Sequence, residues 1–124
     1  MAEWGNGGPV IGLLGEFDAL PQLSQQCDVT EKSPIEPLGN GHGCGHHLLG
    51  TGAMEAACMI RDYLEKNAIP GTIRYYGCPA EEGGGGKVFM LRSGCWNDVD
   101  VCLSWHPGPE SYIWNSNLAN ARVK

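Results

Sequence analysis

Thr72-Ile73-Arg74-Tyr75-Tyr76-Gly77-Cys78, running straight into Pro79-Ala80-Glu81-Glu82 and then four glycines, Gly83 to Gly86, is the stretch on which the fold turns. Its first seven residues are rich in β-branched and aromatic side chains, the composition of a strand. The acidic pair falls just past that strand's carboxyl end. Upstream, Leu49, Ala53, Ala56, Ala57, Ile60 and Leu64 recur with a helical period and predict an amphipathic helix, stopped by Pro70-Gly71. Further upstream, Pro9-Val10-Ile11-Gly12-Leu13-Leu14 is a short apolar run suited to a strand buried on both faces, and it ends in Gly15-Glu16-Phe17-Asp18. Downstream, Lys87 to Arg92 reads as a short helix closed by Gly94. Val99-Asp100-Val101-Cys102-Leu103 reads as a third strand ending at Trp105-His106-Pro107. The order strand, long loop (Pro21 to Gly45), helix, strand, helix, strand predicts an α/β fold with a mostly parallel sheet, because parallel neighbours need a crossover long enough to hold a helix.

In such sheets ligands collect beyond the carboxyl ends of the strands. Asp18, Glu81, Glu82 and His106 all fall at such ends, and Cys44 and His46 fall just before a helix start. Long loops in compact domains are often functional, and the second half of this one carries His42, Cys44, His46 and His47.

With 124 residues the chain is at most one ordinary domain. A composition 42% hydrophobic and 18% charged is that of a globular chain, while 19 glycines and 8 prolines point to many turns. Net charge is −6 and the Lys and Arg residues are scattered, which disfavours a phosphate-tracking surface and hence nucleic acid as a partner. No apolar run is long enough to cross a bilayer, and the first residues resemble no secretory signal, so the expectation is a cytoplasmic chain without a membrane partner. The six cysteines show no C-x-x-C and read as reduced thiols. Cys58, Cys78 and Cys102 lie on predicted core elements and are expected to be buried.

Several motifs fail. Gly83 to Gly86 before Lys87 suggests a phosphate loop, but Glu81 stands where the Walker pattern needs its first glycine and Val88 where it needs Ser or Thr. A dinucleotide fingerprint fails in every register around Gly39 to Gly45, and there is no nucleophile elbow. What survives is His42-Gly43-Cys44-Gly45-His46-His47, then Glu81-Glu82, then His106. Thiolate, imidazole and carboxylate are the ligands of zinc and related divalent ions, and Cys44 and His46, two apart in an extended segment, would point the same way. Glu81 and Glu82 in an extended segment would point in opposite directions, so that one can hold metal while the other acts on water. That division suits metal-assisted hydrolysis, in which a free carboxylate carries the proton to the leaving group. His42 and His47 read as loop-packing residues that orient the ligating imidazoles.

Together Gly15-Glu16-Phe17-Asp18-Ala19-Leu20-Pro21, Gly41-His42-Gly43-Cys44-Gly45-His46, Pro79-Ala80-Glu81-Glu82-Gly83-Gly84 and Trp105-His106-Pro107 resemble the amidohydrolase branch of metallopeptidase family M20, over nearly the whole chain from Pro9 to Lys124. The resemblance implies part of a three-layer α/β/α catalytic domain. It also implies a two-metal site for divalent ions, Mn2+ or Zn2+, with Cys44, His46, Glu82 and His106 as ligands, Glu81 as general base and Asp18 as a supporting carboxylate. In many relatives the position of Glu16 is a metal-binding His; this branch lacks it and uses the His46 position instead.

The activity implied is metal-dependent hydrolysis of a small amide or peptide, an N-acyl or aminobenzoyl amide of an amino acid. Residues 1–116 would be the partial catalytic domain and 117–124 the start of a lid and dimerisation domain. That lid would pair two copies, or this chain with a related subunit. The family's last metal-binding His has no counterpart here, so the expectation is a piece truncated at both ends and inactive alone. The alternative is a non-catalytic metal-binding remnant in which Cys44, His46 and one more residue hold a single ion. Three strands with exposed edges predict weak stability.

Overall fold

The computed structural model describes residues 1–111 and 113; the segment 117–124, expected to open a second domain, lies outside the described residues. The elements in chain order are β1 (Ala2–Asn6), β2 (Val10–Glu16), α1 (His46–Lys66), β3 (Gly71–Cys78), α2 (Gly86–Arg92) and β4 (Val101–Leu103). They form a four-stranded sheet in the order β1-β3-β2-β4. β2 runs parallel to both β3 and β4, and β1 runs antiparallel to β3. The mostly parallel α/β architecture read from the sequence is therefore present.

Register explains the core. Ile11 stands opposite Ile73 and Leu13 opposite Tyr75, so one face of the central strand pair is a continuous apolar surface. Helix α1 lies on that face. Leu13, Ala57 and Ile73 are buried, with Ile11, Ala56, Ile60, Leu64 and Tyr75 packed around them. The opposite face is organised by Tyr76, which is fully buried. Its hydroxyl donates to the Cys95 carbonyl at 2.8 Å, and its ring meets Trp96 edge-on at 5.8 Å. The chain just after α2 thus covers the second face.

Three expectations need correction. Strand β1 was not foreseen: Ala-Glu-Trp-Gly-Asn has no apolar alternation, because an edge strand exposed to solvent needs none. It is held by its ladder to β3 and by Arg74, whose guanidinium joins Glu3 on one side and both oxygens of Asp98 (2.6 and 2.7 Å) on the other. The third predicted strand is shorter than Val99–Leu103, since Asp100 instead accepts from the Val10 amide at 2.7 Å through its carboxylate. Finally, Cys78 is buried, but Cys58 and Cys102 are exposed. Cys58 follows Ala57 on α1 and so turns off the packed face, and Cys102 sits on the wholly exposed strand β4. Among the described residues no helix is long and apolar enough to cross a membrane.

Candidate metal centre

The carboxyl ends of β2 and β3 receive two returning segments. The loop after β2 is closed at its base by a bridge in which Leu20 and Gly41 exchange backbone hydrogen bonds of 3.0 and 2.9 Å. This closure returns Gly41–Cys44 to the end of β2. Gly45 then takes a left-handed turn, φ 77, and α1 begins at His46. A side chain at Gly45 would be strained there. The predicted helix, placed from Leu49, therefore starts a turn earlier, and Cys44 and His46 converge through this turn rather than along an extended segment. Helix α1 presses closely on β2: a Cβ at Gly50 would stand 2.6 Å from the Glu16 carbonyl oxygen.

His46 is the centre of the arrangement and is fully buried. Its Nδ1 lies 3.0 Å from Asp18 Oδ1, while Asp18 Oδ2 accepts from the Glu82 amide at 2.9 Å. Burial pushes the Asp18 carboxyl up, but the hydrogen bonds from the Glu82 amide and from His46 outweigh it and hold the pKa below the ordinary value. Asp18 is thus an acceptor on both oxygens, which places an imidazole proton on Nδ1 and, in the neutral ring, leaves a lone pair on Nε2. That lone pair faces carboxylates: Glu16 Oε2 at 3.1 Å, Glu82 Oε1 at 3.9 Å and Glu81 Oε2 at 4.0 Å. Neither His46 Nε2 nor the buried Glu82 Oε1 has a hydrogen-bond partner.

Cys44 Sγ is 3.2 Å from His106 Nε2, and His106 Nδ1 is satisfied by the Pro107 carbonyl at 2.8 Å. Burial pushes the Cys44 thiol up, and the neighbouring carboxylates of Glu82, Glu81 and Glu16 push it further. Lys87, in the first turn of α2, forms an ion pair with Glu16 Oε1. Among the described residues two triads of donor atoms result, Cys44-His46-His106 and Glu16-His46-Glu81, each with its atoms within 4.8 Å of one another. Buried lone pairs that face one another without a proton between them are satisfied by a cation. Thiolate, imidazole and carboxylate together are a divalent-metal donor set.

All six residues read from the sequence, Asp18, Cys44, His46, Glu81, Glu82 and His106, come together here. The directions of two of them differ from expectation. Glu81 and Glu82 do not diverge: Ala80 sits at φ 54 and the Gly83 amide bonds back to the Glu81 carbonyl at 2.7 Å, so a turn replaces the extended segment and both carboxylates reach toward His46. His42 and His47 pair with each other, ring centroids 4.5 Å apart, rather than joining either triad. Lys87 was missed, and Glu16 was read only as the position at which this branch lacks the metal-binding His of many relatives. A signal for Glu16 existed, since it stands two residues before Asp18 at the end of a strand and so shares its face.

The sequence profile of peptidase family M20/M25/M40 matches residues 12–119. The chain is 51% identical over 124 residues to one of the subunits of p-aminobenzoyl-glutamate hydrolase of Escherichia coli K12, a match covering 99% of this chain and 26% of that protein. It is 36% identical over 107 residues to hippurate hydrolase of Campylobacter jejuni, covering 85% of this chain and 26% of the relative. Among solved structures it is similar to a Bacillus subtilis protein described as a dinuclear metal binding peptidase from the M20 family. That match has a TM-score of 0.65 and 28% identity, and covers 87% of this chain and 30% of the other. The chain spans about a quarter of the length of the curated relatives it matches.

Proposed function

The chain belongs to peptidase family M20/M25/M40, and from that premise we propose that it supplies the metal-binding part of an amidohydrolase acting on an N-acyl or aminobenzoyl amide of an amino acid. The observation that carries the reading is the buried, unpartnered Nε2 of His46, fixed by Asp18 and aimed at carboxylates. The substrate class is supported by the E. coli relative, named for hydrolysis of p-aminobenzoyl-glutamate. That relative is named as one subunit of its enzyme, which supports assembly with a second copy or a related subunit. Six unpaired cysteines favour a reducing, cytoplasmic setting.

In this reading Cys44, His46, Glu82 and His106 hold two divalent ions, Zn2+ or Mn2+, a pair supported by the dinuclear Bacillus subtilis neighbour. When bound, such ions lower the pKa of water and polarise a carbonyl. The chain's own residues supply the rest. Asp18 holds the His46 tautomer that leaves Nε2 free to bind. The Glu82 side chain, 23% exposed, stays in the interior, whereas that of Glu81, 44% exposed, reaches the mouth of the site. Glu81 therefore takes the proton from the attacking water and returns it to the leaving nitrogen.

The test is to place the variants in a full-length amidohydrolase that carries these residues, since the chain spans about a quarter of its relatives' length, and to compare them by metal analysis and by turnover of p-aminobenzoyl-glutamate. Glu81→Ala is expected to keep its metal and lose hydrolysis, by about 100-fold or more. Glu82→Ala and Cys44→Ala are expected to lose metal first. Loss of metal from the Glu81 variant would make Glu81 a ligand, and hydrolysis unaffected by any of the three would overturn the reading.

A further inference from the structure

The sheet gives His106 little support. β4 ends at Leu103, its residues are exposed, and its ladder with β2 stops at Leu13, so His106 lies beyond it on a stretch outside any strand or helix. Yet His106 Nε2 stands 3.2 Å from Cys44 Sγ, and its ring meets that of His46 edge-on with centroids 5.5 Å apart. Resting on the metal-centre reading above, we propose that Trp105 is the positioning residue of His106, its indole latched to the backbone of α1 so that the imidazole is held over the centre.

The latch has two parts. Trp105 Nε1 donates to the Leu49 carbonyl at 3.2 Å. Leu49 is in the first turn of α1, so this bond ties the segment that carries His106 to the helix that begins at His46. A backbone carbonyl has two lone pairs and can take the indole N–H beside its helical partner. The second part is steric. A Cβ at Gly52 would stand 2.9 Å from Trp105 Cζ2, 3.5 Å from Cε2 and 3.7 Å from Nε1, so the ring reaches the helix backbone because position 52 has no side chain. Glycine inside a helix weakens it relative to alanine. What the chain gains at Gly52 is this close approach.

Ordinary packing does not account for the indole. Trp105 is 45% exposed, and the edge turned to the helix is the one that bears Nε1. Beside it lies an apolar cavity of about 290 Å³, lined among others by Leu13, Ala53, Ala56 and Leu103, into which an unlatched ring could swing. On the other side of His106, a Cβ at Gly45 would stand 3.0 Å from Pro107 Cγ, and the Pro107 carbonyl lies 2.8 Å from His106 Nδ1. His106 is thus bracketed by two ring residues, each seated on a glycine at the start of α1. Residues that orient metal ligands in this way typically change metal affinity by about 10- to 100-fold when lost.

The experiment places Trp105→Phe, Gly52→Val and His106→Ala in a full-length amidohydrolase that carries these residues, strips the metal and titrates Mn2+ by calorimetry. Trp105→Phe keeps an aromatic ring but has no donor for Leu49; it is expected to weaken Mn2+ binding about 10-fold, with the circular dichroism of the metal-free protein unchanged. Gly52→Val leaves Trp105 in place but pushes its ring off the helix, and is expected to weaken binding at least as much. At saturating Co2+ the visible absorption of Trp105→Phe should move toward that of His106→Ala, because a displaced imidazole changes the geometry around the ion. Parent affinity in either latch variant overturns the proposal. So does weakened binding with the parent's Co2+ spectrum, which would make Trp105 a packing residue with no hold on His106. A parent protein that binds no Mn2+, or a His106→Ala variant that binds it as tightly as the parent, would instead overturn the underlying metal-centre reading.

Discussion

Asp18 shows how one carboxylate sets the chemistry of a side chain on another element. Its two oxygens receive two donors, the Glu82 amide at 2.9 Å and His46 Nδ1 at 3.0 Å, and an ionised carboxylate can accept both. In Asp18→Asn one of those positions becomes an NH2 group, which cannot accept. The imidazole then shifts its proton to Nε2 and loses the lone pair that faces Glu16. Calorimetry should show Mn2+ binding weakened by about 10- to 100-fold, with the circular dichroism of the fold unchanged; normal affinity would mean that Asp18 does not set the tautomer. Residues of this kind were legible in the sequence because their types are metal ligands and they fall at strand ends. The pairing of Glu16 with Lys87 was not, because it spans 71 positions and the glycine run before Lys87 reads as a failed phosphate loop. The directions of Glu81 and Glu82 were illegible for a local reason: they depend on the positive φ of Ala80, a conformation that residue type does not announce.

Among the elements, α1 matters most for the site because its first residue is His46 and its first turns rest on the end of β2. The apolar period from Leu49 to Leu64 revealed its packed face. Its true start was hidden, since the residue before it is a left-handed glycine with no capping side chain to mark a beginning. β1 was hidden for the opposite reason: an exposed edge strand carries no burial pattern, and its register comes from β3. The seam between α1 and β2 gives an element-scale prediction. A methyl at Gly50 would stand 2.6 Å from a backbone oxygen, which cannot rotate away. Gly50→Ala should gain about 1 kcal/mol of helix propensity yet lose more through overpacking, whose cost is about 1–3 kcal/mol. The expected outcome is a lower melting temperature together with weaker Mn2+ binding, since α1, which begins at His46, is pushed off the end of β2. A higher melting temperature would show that the helix moves freely over the strand.

At the scale of the whole molecule, the donors come from 16–18, 44–46, 81–82 and 106, so the centre ties together every strand end of the parallel sheet. Metal bound there favours the folded state alone, and at about 100 times its dissociation constant it should add about 2.7 kcal/mol of stability. Scanning calorimetry is expected to show a higher melting temperature with Mn2+ or Zn2+ and reversal by a chelator; a transition indifferent to both would count against a site of this kind. β4 and β1 leave the sheet with exposed edges, consistent in direction with the modest stability expected from the sequence. The loop between Leu20 and Gly41 has a different importance. Beyond the bridge at its base, it is held by its own bonds: Gln25 caps the Glu31 carbonyl and the Ser33 amide at 2.8 and 2.9 Å, and Ser24 accepts from the Glu36 amide at 3.0 Å. In evolutionary terms the tip and the base answer to different pressures. The tip is free to drift in length and sequence as a self-contained cassette, while a single slipped residue at the base would carry Cys44 out of reach of His106.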